Sequence, residues 1–174
     1  MLRKLILIIA LLVIVAPAAA QGGVVWKAEY YDNPYLIGNR VILRQEERIN
    51  FDWGLASPGK DVPSDNFSAR FTADIYFAAG TYRFTALADD SVRVSVAFQP
   101  IIDTFDRPQP GTQLSADVPL PEGVQHVQVD YREEVREAYL TFDWARIDPT
   151  SDAPQLPVLL TSAPLVNPNP WEAA

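Results

Sequence analysis

Apolar residues recur at every second position through the middle of this chain, and that period admits one kind of secondary structure. A helix brings its buried face round every three or four residues, whereas a strand turns successive side chains to opposite faces. In Gly80–Asp90, Tyr82, Phe84, Ala86 and Ala88 share one side, while Thr81, Arg83, Thr85 and Leu87 take the other. Val92, Val94 and Val96 alternate with Arg93 and Ser95. Val127, Val129 and Tyr131 alternate with Gln128 and Asp130. Ala138, Leu140, Phe142 and Trp144 alternate with Tyr139, Thr141 and Asp143. Each pattern gives one buried and one wet face, as in antiparallel sheets. Further strands are expected at Val24–Tyr31, Val41–Gln45, Ile49–Trp53, Phe67–Phe77, Ile101–Thr104 and Leu114–Val118. Asn33-Pro34, Ser57-Pro58-Gly59, Ala79-Gly80, Gln109-Pro110-Gly111 and Pro121-Glu122-Gly123 supply turns between them. No long stretch sustains a period of 3.6 residues and no repeat is visible. The expectation is an all-β antiparallel sandwich or barrel-like single domain at 24–148.

Two end segments are of different material. Met1–Ala20 carries Arg3 and Lys4, then an unbroken apolar run of 12 residues from Leu5 to Ala16, then Ala18-Ala19-Ala20. This reads as a secretory signal peptide cut near Ala20–Gln21. The run is short for a membrane span, which needs about 20 apolar residues. No stable membrane insertion is therefore expected after cleavage, and the location is secreted or extracellular. Residues 149–174 hold six prolines and only Asp152 and Glu172 as charges, which predicts a stiff, extended tail or linker. Trp171 within it is a candidate docking anchor.

Composition then excludes whole classes of function. The formal net charge is −8 and becomes −10 once the two bases of the signal leave, so a nucleic-acid partner is not expected. The absence of cysteine removes disulfides, thiolate metal sites and cysteine nucleophiles. A secreted domain without disulfides must be held together by its core. The single histidine, His126, expected on the surface at a strand edge, cannot join a histidine metal site, and no Ser-His-Asp arrangement is visible. The 8 glycines form no phosphate-cradling cluster before a helix.

Four segments occur in a recognisable order: Trp26-Lys27-Ala28-Glu29-Tyr30-Tyr31-Asp32-Asn33; Ile49-Asn50-Phe51-Asp52-Trp53-Gly54; Asp65-Asn66-Phe67-Ser68-Ala69-Arg70-Phe71-Thr72 with Asp89-Asp90-Ser91-Val92-Arg93-Val94; and His126–Tyr131 with Ala138–Trp144. Together they resemble the protective-antigen N-terminal domain family (the PA-fourteen domain) over about residues 24–147. The resemblance implies a β-sandwich or barrel-like domain of secreted glycosidases, adhesins and toxins. It also implies glycan binding, and in some adhesins a paired-aspartate loop holds a calcium ion that contacts the sugar. Carried onto this chain, that role falls on Asp89 and Asp90. Ser91 stands where many members have glycine, and Ala97-Phe98-Gln99-Pro100 where many have an Asp-Gly turn. The loop Arg132–Glu137 has no asparagine to help hold the ion, so Glu133 or Glu134 would have to substitute.

The residues themselves frame the alternatives. Asp89 and Asp90 lie between two alternating strands and so belong at a sheet's rim. They either share a hard cation, calcium being the candidate, or cap a turn by accepting backbone amides. Trp26, Trp53 and Trp144 sit among apolar neighbours, which predicts core packing over a sugar platform. Tyr139 and Tyr35 are the candidate exposed aromatics. Glu133, Glu134 and Glu137 read as a solvated turn rather than a glycosidase pair. Asn66-Phe67-Ser68 matches a glycosylation acceptor. The expected function is a secreted, non-catalytic module recognising extracellular or cell-surface glycans, with calcium as a conditional cofactor. The alternative is a structural or protein-interaction module with the proline-rich tail as spacer or docking segment.

Overall fold

The computed structural model describes residues 23–147, so the expected signal peptide and proline-rich tail, Trp171 included, lie outside the described residues. Ten strands follow one another, and no helix occurs among the described residues: β1 Trp26–Tyr31, β2 Ile42–Glu46, β3 Asn50–Gly54, β4 Phe67–Phe77, β5 Gly80–Asp89, β6 Ser91–Val96, β7 Gln99–Asp103, β8 Leu114–Leu120, β9 Gly123–Glu133 and β10 Ala138–Arg146. Two antiparallel sheets form the sandwich. One has six strands in the order β2-β1-β4-β9-β6-β7, the other four in the order β3-β10-β5-β8.

Period-2 alternation places the core as expected. Tyr82, Phe84, Ala86 and Ala88 of β5 face Val92, Val94 and Val96 of β6 and Val127, Val129 and Tyr131 of β9 across the interior, all buried. Aromatic rings join the two sheets. Trp53 of β3 meets Tyr30, Phe67 and Tyr131, at 6.4, 5.6 and 5.5 Å between ring centroids. Trp26 of β1 lies 5.7 Å from Phe142 and 6.4 Å from Trp144. Trp26 is buried in the core and Trp53 and Trp144, half-buried, pack against it, so the three serve packing rather than a sugar platform. Fully burying a large apolar side chain stabilises by about 1.5–3 kcal/mol, so this interior holds the cysteine-free domain together.

Two expectations need correction. His126 is not at a sheet edge. It lies on β9, which is hydrogen-bonded to β4 on one side and β6 on the other. Its Nδ1 lies 2.8 Å from Asp74 and its ring stacks on Phe98, 4.9 Å away. Glu133 is not in a solvated turn. It ends β9 as an inward-facing residue with 0% exposure, because the alternation that buries Val127, Val129 and Tyr131 continues one step further.

The connections divide unequally between the ends of the sandwich. At one end are residues 32–41, 55–66, 104–113 and 134–137, together with the Asp90 crossing. At the other end the strands are joined by two- or three-residue turns at 47–49, 78–79, 97–98 and 121–122. Rigid strands that carry long loops at one end only are a common platform for binding sites.

Candidate functional site

Asp89 and Asp90 stand where the chain leaves the four-stranded sheet for the six-stranded one. β5 ends at Asp89 and β6 begins at Ser91, so the crossing is a single residue, with a cis peptide bond between the two aspartates. Four residues, 134–137, make the reverse crossing from β9 to β10 at the same end. Asp90 ties the two crossings together. Its Oδ2 accepts the backbone N–H of Glu134 at 2.6 Å and of Val135 at 3.2 Å. Asp65 accepts the N–H of Arg136 at 2.8 Å, and Asn66 donates its N–H to the carbonyl of Glu134 at 3.2 Å. Asp90 therefore does accept backbone amides, but those of the neighbouring loop rather than of its own turn.

Beneath this surface lies a buried polar link. Tyr131 donates its hydroxyl to the carbonyl of Asp89 and lies 2.7 Å from Oε2 of Glu133. Oε1 of Glu133 is buried without a partner. Burial first, and then the charges of Asp90, Asp89 and Asp65, push the Glu133 carboxyl up to about 8 against the lowering effect of the Tyr131 hydrogen bond. Burial pushes the Tyr131 phenol well above its ordinary value too, with Glu133 adding to it. At neutral pH Glu133 is therefore mainly protonated. It is a supporting residue under the rim, out of reach of a ligand at the surface.

The outer rim is open. Asp89 is half-buried, and its carboxyl is raised above the ordinary value by burial, then by Asp90 and Glu137. Tyr139 is its cross-strand partner on β10 and is half-buried, with its phenol raised by burial, Asp89 and Glu137. The 104–113 connection folds in beside it, with the Gly111 N–H bonded to the Ala88 carbonyl at 3.0 Å. A Cβ on Gly111, whose φ is +70°, would come within 3.3 Å of the Tyr139 hydroxyl, so backbone angle and close approach both favour glycine there. Glu134 pairs with Arg132 at 3.3 Å, whereas Asp89, Asp90, Glu133 and Glu137 have no ion-pair partner among the described residues. Tyr35 stands 66% exposed on the 32–41 connection. Asn66 is exposed, while Ser68 of the same triplet is fully buried and spends its hydroxyl on the Asn33 carbonyl.

The sequence reading puts Asp89 and Asp90 at a sheet's rim, and the structure brings Tyr139 and Glu134 to the same end, together with Tyr131 and Asp65, which that reading missed. A signal for Tyr131 was present, since it continues the inward set of β9 two positions before Glu133.

Among the described residues no group of three His, Cys, Asp or Glu side chains is gathered as a metal site. The pair Asp89–Asp90 supplies two hard oxygen donors, and one carboxylate oxygen of Asp90 is already committed to the loop amides.

Fold and rim together define a two-sheet antiparallel β-sandwich whose long loops and unpaired carboxylates gather at one end. The sequence matches the PA14 domain over residues 21–156, and the chain belongs to that family. The anti-sigma-I factor RsgI3 of Acetivibrio thermocellus is 29% identical over 121 residues, covering 68% of this chain and 18% of RsgI3. A solved anti-sigma factor domain-containing protein superposes with a TM-score of 0.64 at 27% identity, covering 72% of this chain and 43% of the other. This chain thus spans less than half the length of these two relatives. A PA14 sugar-binding domain from an RTX adhesin shares the fold, with a TM-score of 0.53 at 17% identity, covering 71% of this chain and 90% of that domain.

Proposed function

We propose that this domain is a secreted, non-catalytic carbohydrate-binding module whose glycan site is the Asp89–Asp90 rim, with calcium assisting. One observation carries the reading. Two adjacent carboxylates stand at the loop-bearing end of the sandwich with no ion-pair partner among the described residues, and burial, then the neighbouring Asp90, raises Asp89. Such a pair costs stability unless a cation or a hydrogen-bonding ligand shares it. The sugar-binding description of the RTX adhesin relative is consistent with that use of the fold.

Calcium takes about 6–8 oxygen ligands. Asp89 and Asp90 would supply carboxylate oxygens, with water, main-chain carbonyls and glycan hydroxyls completing the shell. The ion would neutralise the pair and bind vicinal sugar hydroxyls. Tyr139, beside Asp89, presents an aromatic edge to the same ligand. Glu134 stays with Arg132 and contributes to loop position. The partner is an extracellular or cell-surface glycan.

A glycan array read with and without a calcium chelator tests this. Binding that chelation abolishes supports both glycan and calcium. Binding unchanged by chelation removes the calcium, and no binding in either condition by a folded protein removes the glycan. Thermal stability gives a second check. A ligand at 100 times its Kd stabilises the folded state by about 2.7 kcal/mol, so a Tm unmoved by millimolar calcium argues that Asp90 serves the loop alone.

The anti-sigma factor relatives support a second reading, a protein-interaction module with residues 149–174 as spacer or docking segment. Loss of a captured partner on deleting that segment would favour it.

A further inference from the structure

A second feature lies on the outer face of the four-stranded sheet. Register fixes which side chains share that face. Tyr139 is opposite Asp89 on one side and Asp52 on the other, and Thr141 is opposite Leu87 and Asn50. Asp143 is opposite Thr85. These outward residues form three rows, each two residues below the last, so neighbouring rows are about 7 Å apart. The first row holds Asp89 and Tyr139, the proposed glycan rim. The lower two rows open into a groove of about 980 Å³, with Asn50, Thr85, Leu87, Thr141 and Asp143 in its lining. Glu47, Arg48 and residues 23–25 wall it on one side and Gln113 on the other. That volume is at the top of the range of about 300–1,000 Å³ usual for ligand clefts.

The lining is suited to a polyhydroxylated chain. The Asn50 and Gln113 amides and the Thr141 hydroxyl make no side-chain hydrogen bond among the described residues, and Arg48 has no acid partner there. Thr85 donates its hydroxyl weakly to the Asp143 carbonyl, at 3.3 Å. Donors and acceptors are thus available on both sides of the half-buried Leu87, an apolar patch on which the C–H face of a sugar ring can rest. The floor is made of extended strands, and β10 carries both the groove residue Thr141 and, one row above it, the rim residue Tyr139.

We infer that the glycan is an extended β-1,4-linked oligosaccharide that leaves the Asp89–Asp90 rim and runs along β10, placing its further units in the groove at Asn50, Thr85, Leu87 and Thr141. The inference rests on the proposed rim site and adds a linkage, a direction and a minimum length of more than one sugar to it.

The test is a calorimetric titration of the full chain, in calcium, with β-1,4-linked glucose and xylose oligomers of increasing length, from the monosaccharide to the hexasaccharide. Wild type is expected to gain at least tenfold in affinity between one unit and four on one of the two series. The double variant Asn50→Ala/Thr141→Val alters only outward side chains. It should keep the monosaccharide affinity and lose most of the gain with length. Asp89→Asn/Asp90→Asn should weaken every length. A wild-type affinity that does not grow with length overturns the groove and leaves the rim standing. So does a full gain retained in the groove variant. No binding to either series by a folded wild type overturns the inference outright, and the rim then stands or falls on the chelator array. Binding of the longer oligomers that survives the aspartate variants but not the groove variant overturns the rim as the primary site.

Discussion

Two acidic regions of this molecule are built on opposite rules. Across the outer face of the six-stranded sheet, acids and bases alternate from strand to strand. Glu29 of β1 pairs with Lys27 and with Arg40, at 3.0 and 2.9 Å. Arg70 of β4 grips Asp130 of β9 with two bonds, at 2.7 and 2.9 Å. Arg93 of β6 reaches Asp103 of β7 at 2.8 Å. The loop rim, at one end of the same sheet, gathers Asp89, Asp90, Glu133 and Glu137 without an ion-pair partner among the described residues. On the sheet, charge is balanced within the protein, because buried Asp130 would be costly alone. At the rim it is left for protons, backbone amides or something from outside. The difference separates acids neutralised by neighbouring bases from acids held by burial and backbone amides.

The comparison can be broken most directly at Asp90. Asp90→Ala removes the acceptor of two backbone amides and one half of the carboxylate pair. Glycan binding should fall by at least a hundredfold on the array, and urea unfolding should show a loss of about 1–3 kcal/mol. Asp90→Asn keeps an acceptor for the loop, so it should lose the binding while retaining most of the stability. Equal stability losses for the two variants would mean that charge, not loop capture, is what Asp90 supplies to the fold.

Arg70→Ala tests the other region. It leaves buried Asp130 with Gln128 alone, at 3.0 Å, and should cost about 2 kcal/mol in chemical denaturation without changing glycan affinity. A loss of binding would couple the sheet face to the rim and end the separation.

The buried Glu133 gives a pH signature. Its folded-state pKa of about 8 lies above the ordinary value of 4.5, so between those limits the folded protein holds the proton more tightly than the unfolded one. This contribution is fully present below pH 4.5 and falls as pH rises toward 8, by at most about 1.4 kcal/mol per pH unit. Glu133→Gln mimics the protonated acid, so it should flatten that decline in denaturation curves taken across this range. Unchanged pH dependence in the variant would assign the decline elsewhere.

The smallest effect is expected at Arg83, which pairs with Asp117 at 2.7 Å on the exposed face of the four-stranded sheet. Exposed pairs are screened by solvent and offset by side-chain entropy. Arg83→Ala should leave the Tm within experimental error, and a clear drop would show that paired charges matter here even where water reaches them.

The strands were legible because their pattern is local. β4 and β10 run over Phe67–Phe77 and Ala138–Arg146, as the alternation predicts. β9 runs past Tyr131 to Glu133 because the polar inward Glu133 hides the last step of its pattern, and it also begins earlier, at Gly123. The paired aspartates were visible as neighbours in the chain, but what they bond was not. Asp90 and Glu134 are 44 positions apart, and Asp65 and Arg136 are 71 apart.

The sequence by itself thus determined the all-β class, the faces of the strands and the family, since alternation, turn residues and motif order act over short distances along the chain. Only the tertiary structure decided that Glu133 is buried and raised, that Asp90 holds the reverse crossing, and that a polar groove lies beside Thr141 of β10. Those properties depend on which distant strands become neighbours, and on how much water is left between them once they do.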